Sequence, residues 1–281
     1  MLYPLSYGRE RNSDSLTGHP GASQIGGRRP GTTPSAAPGK LDHVTTADQA
    51  SASHNDARPV VLWDIDGTLV HETRGEGSRM QMRAIREVLG VELERPGFGA
   101  GATERMVWGR LFEHAGMPVP TDLAPLEAAI DRLYVGHFAE VPRIAIPGAA
   151  EAIRAIADAG FVNSVLTGNG RPVSRMKLES AGLPIELFDW NAAYFGREWS
   201  DRIEMAKAAR TRHPLTIIIG DTVNDGACAV GSGIPWIAVG TGGHPRDELA
   251  AYDPVAWFDD LVGRERELIE TIRTALELPT A

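Results

Sequence analysis

The feature that most constrains this chain is residues 64–69, Asp-Ile-Asp-Gly-Thr-Leu, which directly follow an apolar run at residues 59–63. A run of this length is typical of a buried strand, and open α/β sheets place their ligand crevice at the carboxyl ends of such strands. Two carboxylates one residue apart repel each other, so the pair indicates a cation or a shared proton between them. The sequence therefore predicts a site at the end of its first strand.

The residues of this segment have distinct chemical uses. Asp64 can attack an electrophile, because carboxylates form covalent aspartyl-phosphates in phosphoryl transfer, and Asp66 can give a proton to the leaving group and later take one from water. Gly67 allows a sharp turn without a Cβ clash, and the Thr68 hydroxyl can hold a phosphate oxygen. Taken alone, the segment also fits an Asp-Gly turn that closes a hairpin.

A second polar segment follows the apolar run at residues 161–166. It consists of Thr167, Gly168 and Asn169. A hydroxyl beside glycine at the end of a strand can donate to a phosphate oxygen, with help from backbone N–H groups. We interpret these residues, with Thr68, as phosphate-binding, although a plain turn fits the same three letters.

Two more carboxylates follow the apolar run at residues 215–219. Asp221 and Asp225 lie four residues apart, and the strand ends of a parallel sheet face one crevice. With Asp64 they can supply the oxygen ligands that Mg²⁺ requires. The alternative is an Asx-turn with acids that cap the following helix.

In this order, the segments resemble the motifs of the haloacid dehalogenase superfamily of hydrolases, over roughly residues 58–275. The resemblance implies that Asp64 is the nucleophile and Asp66 the acid and base. It also implies that Mg²⁺ is held by Asp64, by the backbone carbonyl of Asp66 and by Asp221, with Asp225 acting nearby or through water.

The same resemblance gives Thr167 the role of gripping the transferring phosphoryl group, and it requires a cation near the nucleophile. This cation is usually a lysine at the start of the helix before Asp221. Here that helix begins near Asp201 without a lysine. Arg202 is our first choice, because a guanidinium can contact phosphate and carboxylate together. Lys177 is the alternative, unless it lies on a solvated helix face.

Strand and helix patterns alternate from residue 58 onward, which predicts an α/β fold with a Rossmann-like parallel sheet. The block after the first strand lacks strand signals and carries three helical patterns. A helical insertion at this point resembles the C1-type cap of the family, which closes over the site and excludes water. The predicted division is a core at 58–74 and 143–281, a helical cap at 75–142 and a disordered tail at 1–57, which is rich in Gly, Ser, Pro, Thr and His.

Composition limits the partners and the location. The formal charge of −9 disfavours nucleic acid and anionic membranes as partners, and no stretch approaches the ~18 apolar residues of a membrane span. Cys228 is the only cysteine, so no intrachain disulfide can form, which suits a cytoplasmic protein. We predict a buried helical position for Cys228 and leave the oligomeric state open.

The resulting hypothesis is a Mg²⁺-dependent phosphatase that acts on a small phosphorylated metabolite and is similar to phosphoglycolate phosphatases. Asp66 argues against a dehalogenase, since that class typically lacks the second acid. Residues 71–143 contain no lysine, which argues against a phosphonatase with a Schiff-base lysine in its cap. A phosphomutase and a non-catalytic phosphate-binding protein remain as alternatives.

Several cap and loop residues have a structural and a functional interpretation. We expect the cap aromatics to form a core, the arginines to lie on solvated helix faces and His71 to be a loop histidine. The spacing of His114 and His137 in the predicted cap helices offers no metal-ligand pattern. These residues are Trp108, Phe112, Tyr134 and Phe138; His71, His114 and His137; and Arg79, Arg83, Arg105 and Arg110.

Overall fold

The computed structural model describes residues 58–73, 75–94, 96–97 and 101–279. The predicted disordered tail at residues 1–57 lies outside this part of the chain, as does most of the glycine-rich segment at residues 97–101. No helix in the described part is both long and apolar enough to cross a membrane.

A parallel sheet of six strands, in the order β3-β2-β1-β4-β5-β6, forms the centre of the described chain. The predicted Rossmann-like fold class is thereby confirmed. The strand order reverses at β1, which lies between β2 and β4, and such a reversal opens a crevice at the carboxyl ends of the strands. The strands are β1 Val60–Trp63, β2 Val162–Thr167, β3 Tyr194–Phe195, β4 Thr216–Gly220, β5 Trp236–Val239 and β6 Ala256–Phe258.

Helices cover both faces of the sheet, so the strands are buried on both sides. Along β1, Val61 and Trp63 pack on one face and Val60 and Leu62 on the other, which is the alternation expected of a strand. The helices are α1 Glu76–Leu89, α2 Glu104–His114, α3 Ala124–Glu140, α4 Ala149–Asp158, α5 Arg171–Ser180, α6 Arg202–Arg212, α7 Val223–Ser232, α8 Arg246–Ala250 and α9 Glu265–Ala275.

Helices α1, α2 and α3 form an insertion between β1 and β2, called here the helical insertion (residues 76–140). Its apolar side chains form a cluster that also includes Val173 of α5. The four aromatic residues that the sequence assigned to a core, Trp108, Phe112, Tyr134 and Phe138, are all buried in that cluster. Whether this insertion acts as a separate cap remains a prediction.

The sequence predicts five of these strands, from apolar runs at residues 59–63, 161–166, 215–219, 236–239 and 255–258, and misses β3. This strand has two residues, Tyr194–Phe195, and among the described residues it pairs only with β2. An apolar pair is too short to give a period, so the pattern carries no strand signal there. Cys228 is fully buried in α7, as predicted.

Candidate active site

The end of β1 carries the first two acids into the crevice. Trp63 lies opposite Val165 of β2 and Ile219 of β4, and the Asp64 N–H donates to the Ile219 carbonyl at 2.9 Å. Asp64 therefore leaves the sheet where the two neighbouring strands end. The turn that follows needs glycine, because Gly67 has a φ of +90°.

Gly67 also gives space to a downstream acid. A Cβ at this position would lie 2.3 Å from Asp221 Oδ2. Gly242 is closer still, since a Cβ there would lie 1.6 Å from the same oxygen. The Asp221 carboxylate thus occupies a slot between two glycines, and a side chain at either position would displace it.

Three carboxylates converge at this point. Asp64, Asp221 and Asp225 are buried, and each offers one oxygen that lies within 4.8 Å of the other two. The Thr68 hydroxyl donates to Asp221 Oδ1 at 2.7 Å. Thr222, the N-cap of α7, donates to Asp225 Oδ2 from its hydroxyl at 2.7 Å and from its N–H at 3.0 Å. Helix capping and site formation are therefore combined in Asp225.

Arg202 is the cation inside this cluster. Its Nη2 donates to Asp64 Oδ1 at 2.8 Å and to the Leu166 carbonyl at 3.1 Å, and it also contacts Asp225 Oδ1. Its Nη1 donates to the Gly101 carbonyl at 3.1 Å. The first-choice cation of the sequence thus contacts the predicted nucleophile directly.

The electrostatics of the cluster favour an additional positive charge. Burial, with repulsion from Asp225, raises the pKa of Asp64 to about 7, although Arg202 lowers it. Burial and the charges of Asp64 and Asp225 raise the pKa of Asp221 as well. One guanidinium does not offset three buried carboxylates, so the cluster has the donor set and the excess charge that suit a divalent cation.

The raised pKa of Asp64 predicts a pH-dependent stability of the metal-free protein. An acid with a folded-state pKa near 7 and an unfolded value of 3.8 stabilises the fold fully below the lower value. That contribution is lost as the pH rises through 7. We expect urea unfolding between pH 5 and 8 to show a falling free energy of unfolding, with a smaller slope in Asp64→Asn. Equal slopes for the two proteins would contradict the assignment.

A second group of side chains surrounds Asp66, on the other side of Asp64. Lys177 Nζ donates to Asp66 Oδ2 at 2.5 Å and to Asn169 Oδ1 at 2.9 Å. Asn169 Nδ2 donates to Asp66 Oδ2 at 2.8 Å and to Thr167 Oγ1 at 2.9 Å. Burial alone would raise the pKa of Asp66, but the Lys177 charge and these hydrogen bonds outweigh it and lower that pKa.

The structure places both candidate cations in the site, each on a different acid. Lys177 is only 4% exposed and belongs to no solvated helix face. Arg202 binds Asp64, and Lys177 binds Asp66. The Asp66 side chain therefore lies outside the acid cluster.

Two predicted phosphate-binding groups have other contacts. The Thr68 side chain is fully buried and donates to Asp221, so its hydroxyl positions an acid instead of facing a ligand. The Gly168 carbonyl accepts from the Glu104 N–H at 2.7 Å. Thr167, Gly168 and Asn169 all line the cavity described next.

A cavity of about 490 Å³ lies over the two acids, between the core and the helical insertion. Several of its lining residues are not predicted from sequence. Those of the insertion reach the site through helix packing and follow no strand end, and His244 lies in the loop between β5 and α8. Tyr134 was expected only as core. The lining residues missed in this way are Glu76, Gln81, Glu104, Tyr134 and His244.

The cap and loop arginines and histidines that the sequence offered as possible ligands do not line this cavity. Arg79, Arg83, Arg105 and Arg110 are exposed, as are His71 and His114. His137 lies with its Nε2 at 2.7 Å from Glu76 Oε1. None of them lines the cavity in the described part of the chain.

The chain is similar in sequence to known proteins. The family model of haloacid dehalogenase-like hydrolases matches residues 61–229. A curated relative, described as probable phosphatase IndB of Dickeya dadantii, is 26% identical over 241 residues, which cover 76% of this chain and 96% of that protein.

Solved structures share the fold at low identity. A hydrolase from Pseudomonas syringae has a TM-score of 0.54 at 19% identity and covers 76% of this chain and 99% of its own. CbbY from Rhodobacter sphaeroides, in complex with phosphate, has a TM-score of 0.54 at 22% identity, with coverage of 74% and 96%. A predicted phosphoglycolate phosphatase from Haemophilus somnus has a TM-score of 0.51 at 17% identity, with coverage of 76% and 98%.

Proposed function

The chain belongs to the haloacid dehalogenase-like hydrolases, and from this premise we propose that it is a Mg²⁺-dependent phosphomonoesterase. Its substrate is a small phosphorylated metabolite, and the reaction passes through an aspartyl-phosphate. One observation carries the proposal: two acids separated by one residue have opposite environments. Asp64 lies in a cluster of acids with Arg202, whereas Asp66 is held by Lys177 and Asn169. Two carboxylates held by such different neighbours suit two different roles.

The carboxylates of Asp64 and Asp221 would hold the Mg²⁺ ion, together with the backbone carbonyl of Asp66 and with Asp225 close by. The fit rests on the convergent oxygens of the cluster. When bound, the ion neutralises phosphate oxygens and the charge of the transferring group.

The side chains then divide the reaction. Asp64 attacks phosphorus in line with the departing oxygen, and Asp66 gives that oxygen its proton, so that the alcohol leaves and an aspartyl-phosphate forms. In the second half, Asp66 takes a proton from water, whose oxygen attacks phosphorus and releases phosphate and free Asp64. Bound phosphate repels the Asp66 carboxylate and so favours the protonated form that the first half needs.

The relatives support a phosphate ester as the substrate. IndB is described as a probable phosphatase, and CbbY was solved with phosphate. In this chain, Thr167, Gly168 and Asn169 would bind the phosphate oxygens, and Arg202 and Lys177 would balance its charge. A cytoplasmic location remains a prediction from the single cysteine.

The experiment that tests the proposal is a hydrolysis panel of sugar phosphates and phospho-acids, with Mg²⁺ or with a chelator, and with Asp64→Asn as the blank. Phosphate release that requires both Mg²⁺ and Asp64 supports the proposed function. Equal release in the chelated sample would refute the metal requirement, and absence of release from every ester with Mg²⁺ present would refute the phosphatase.

Mg²⁺ binding should also stabilise the fold. A ligand at 100 times its Kd adds about 2.7 kcal/mol, which for a domain of this size raises the Tm by roughly 5–10 °C. Differential scanning fluorimetry should show this rise in the wild type and a rise below about 2 °C in Asp221→Asn, where binding is lost. The matched control is Asp247→Asn, which removes an exposed carboxylate of α8 and should keep the full response. An undiminished response in Asp221→Asn would place the ion elsewhere.

A further inference from the structure

Arg197 connects the core to the helical insertion through two carboxylates. It follows β3, and its Nε donates to Glu104 Oε1 at 2.8 Å. Its Nη1 and Nη2 donate to the two oxygens of Asp131 at 2.9 Å and 2.7 Å. Glu104 begins α2 and Asp131 lies within α3. One guanidinium from the core therefore binds two helices of the insertion.

This contact is sheltered from solvent. The side chains of Arg197, Glu104 and Asp131 are 15%, 7% and 26% exposed. Bidentate, partly buried pairs of this kind differ from surface ion pairs, which contribute little. Removing the guanidinium would leave two carboxylates without their partner, and Glu104 among them is buried, which is strongly unfavourable.

Glu104 continues the contact into the loop that follows β2, called here the β2 loop (residues 168–170). Its Oε2 accepts from the Gly170 N–H at 3.2 Å, and its own N–H donates to the Gly168 carbonyl at 2.7 Å. The N–H of Arg105 donates to the Gly196 carbonyl at 2.9 Å. The first turn of α2 thus lies directly on the loop that would bind phosphate.

The backbones approach so closely that side chains are excluded. A Cβ at Gly168 would lie 2.3 Å from the Ala102 carbonyl oxygen, and one at Gly170 would lie 2.5 Å from Arg197 Nε. The insertion and the β2 loop can hold this arrangement only while α2 stays in place.

At the other end of the insertion, residues 71–73 and 75 and residues 141–147 lie where the chain crosses to and from the core. There Arg143 Nη1 donates to Thr73 Oγ1 at 2.7 Å and pairs with Glu76. Thr73 lies in a crossing segment and Glu76 is the first residue of α1, so these contacts lie at the base of the insertion. A rotation of the insertion about the crossing segments would have to break the contacts of Arg197.

We propose that Arg197 is a positioning residue that holds the helical insertion closed over the site and fixes the β2 loop through Glu104. The inference rests on the proposed function only where it concerns catalysis. The contact itself can be tested without substrate.

The first test is amide hydrogen exchange on the full chain, in wild type, Arg197→Met and Arg197→Lys. The amides of Glu104, Arg105 and Gly170 report directly, because each donates across the contact. In Arg197→Met we expect these amides to exchange at least about 10-fold faster while β2 stays protected. The matched control is Arg110→Met, which replaces an exposed arginine on α2, the helix of Glu104. This variant should leave the exchange rates of these amides unchanged.

A second pair of variants separates positioning from folding. Arg197→Lys keeps the charge but can pair with only one carboxylate well, so we expect an intermediate increase. If Arg197→Met also exposes β2, the decision falls to Asp131→Asn, which retains the bond from Arg197 to Glu104. Local acceleration confined to the insertion and the β2 loop supports the proposal, and unchanged exchange in Asp131→Asn and Arg197→Lys overturns it.

Kinetics test the link to the site. If loss of Arg197 leaves about one-tenth of the molecules closed, KM for a phosphate ester should rise about 10-fold, whereas kcat stays within about 3-fold because saturating substrate restores closure. A fall in kcat at constant KM would contradict positioning by closure. Failure of every ester in the wild type would refute the proposed function, and the exchange result would still decide the role of the contact.

Discussion

Replacing Asp64 by asparagine is expected to lower kcat for any phosphomonoester by at least about 10⁴-fold, as removal of a covalent nucleophile does. The amide retains an oxygen, but this oxygen is a much weaker nucleophile and cannot form the acyl phosphate. The variant should fold normally, because the substitution removes a buried charge from the acid cluster whose repulsion raises the pKa of Asp64. We therefore expect activity to vanish while the Tm of the metal-free protein is unchanged or higher.

The measurement is kcat and KM at saturating Mg²⁺, paired with thermal unfolding in chelator. The two readouts separate a lost nucleophile from a damaged fold. Residual activity within about 10-fold of wild type would mean that water attacks phosphorus directly or that another group is the nucleophile. A large fall in Tm would instead make the Arg202–Asp64 ion pair a structural requirement.

Replacing Asp66 by asparagine is expected to lower kcat by roughly 10²–10⁴-fold, the usual contribution of general acid and base catalysis. The size of the loss should depend on the leaving group. An ester of p-nitrophenol needs little protonation of its departing oxygen. The rate of the first half of the reaction should therefore fall less for this ester than for an alkyl phosphate. The amide can still accept from Lys177, which keeps the local geometry similar.

Kinetics on alkyl and aryl phosphates with wild type and Asp66→Asn provide the check. A useful companion is Lys177→Met, which removes the charge that lowers the pKa of Asp66. Without this charge the pKa of Asp66 should rise, so Asp66 should act as a base only at higher pH. An equal loss for both ester classes in Asp66→Asn would argue that this acid only positions neighbours and transfers no proton.

The acid cluster could be predicted from the sequence because it depends on topology. Asp64 and Asp221 each follow a predicted strand, and neighbouring parallel strands end at the same edge. Strand periodicity and chain order were therefore enough to predict that residues 157 positions apart, by their numbers, meet in one crevice. No side-chain detail was needed for this step.

The sequence could not decide between Arg202 and Lys177 as the cation of the site, because their positions depend on helix orientation. The sequence treats them as alternatives for one role, whereas the structure assigns each to a different acid. Which face α5 turns to the sheet is set by tertiary packing, and the residue pattern around Lys177 fits a solvated face equally well.

The cavity walls were the part of the site that was least predictable from the sequence. Glu104 and Tyr134 belong to the helical insertion and reach the site through packing between helices. The contacts of Arg197 join three separate parts of the chain, one of which follows the short strand that the pattern missed. Contacts of this kind have no local signature.

In the proposed mechanism, Asp64 carries the phosphoryl group during turnover. Acid quenching of the full-length protein with Mg²⁺ and p-nitrophenyl phosphate, followed by borohydride reduction and peptide mass spectrometry, tests it most directly, since reduction converts an aspartyl-phosphate to homoserine. We predict homoserine at position 64 in the wild type and in no other peptide, with none in Asp64→Asn. Homoserine at position 66, or its absence during demonstrable turnover, would contradict the account.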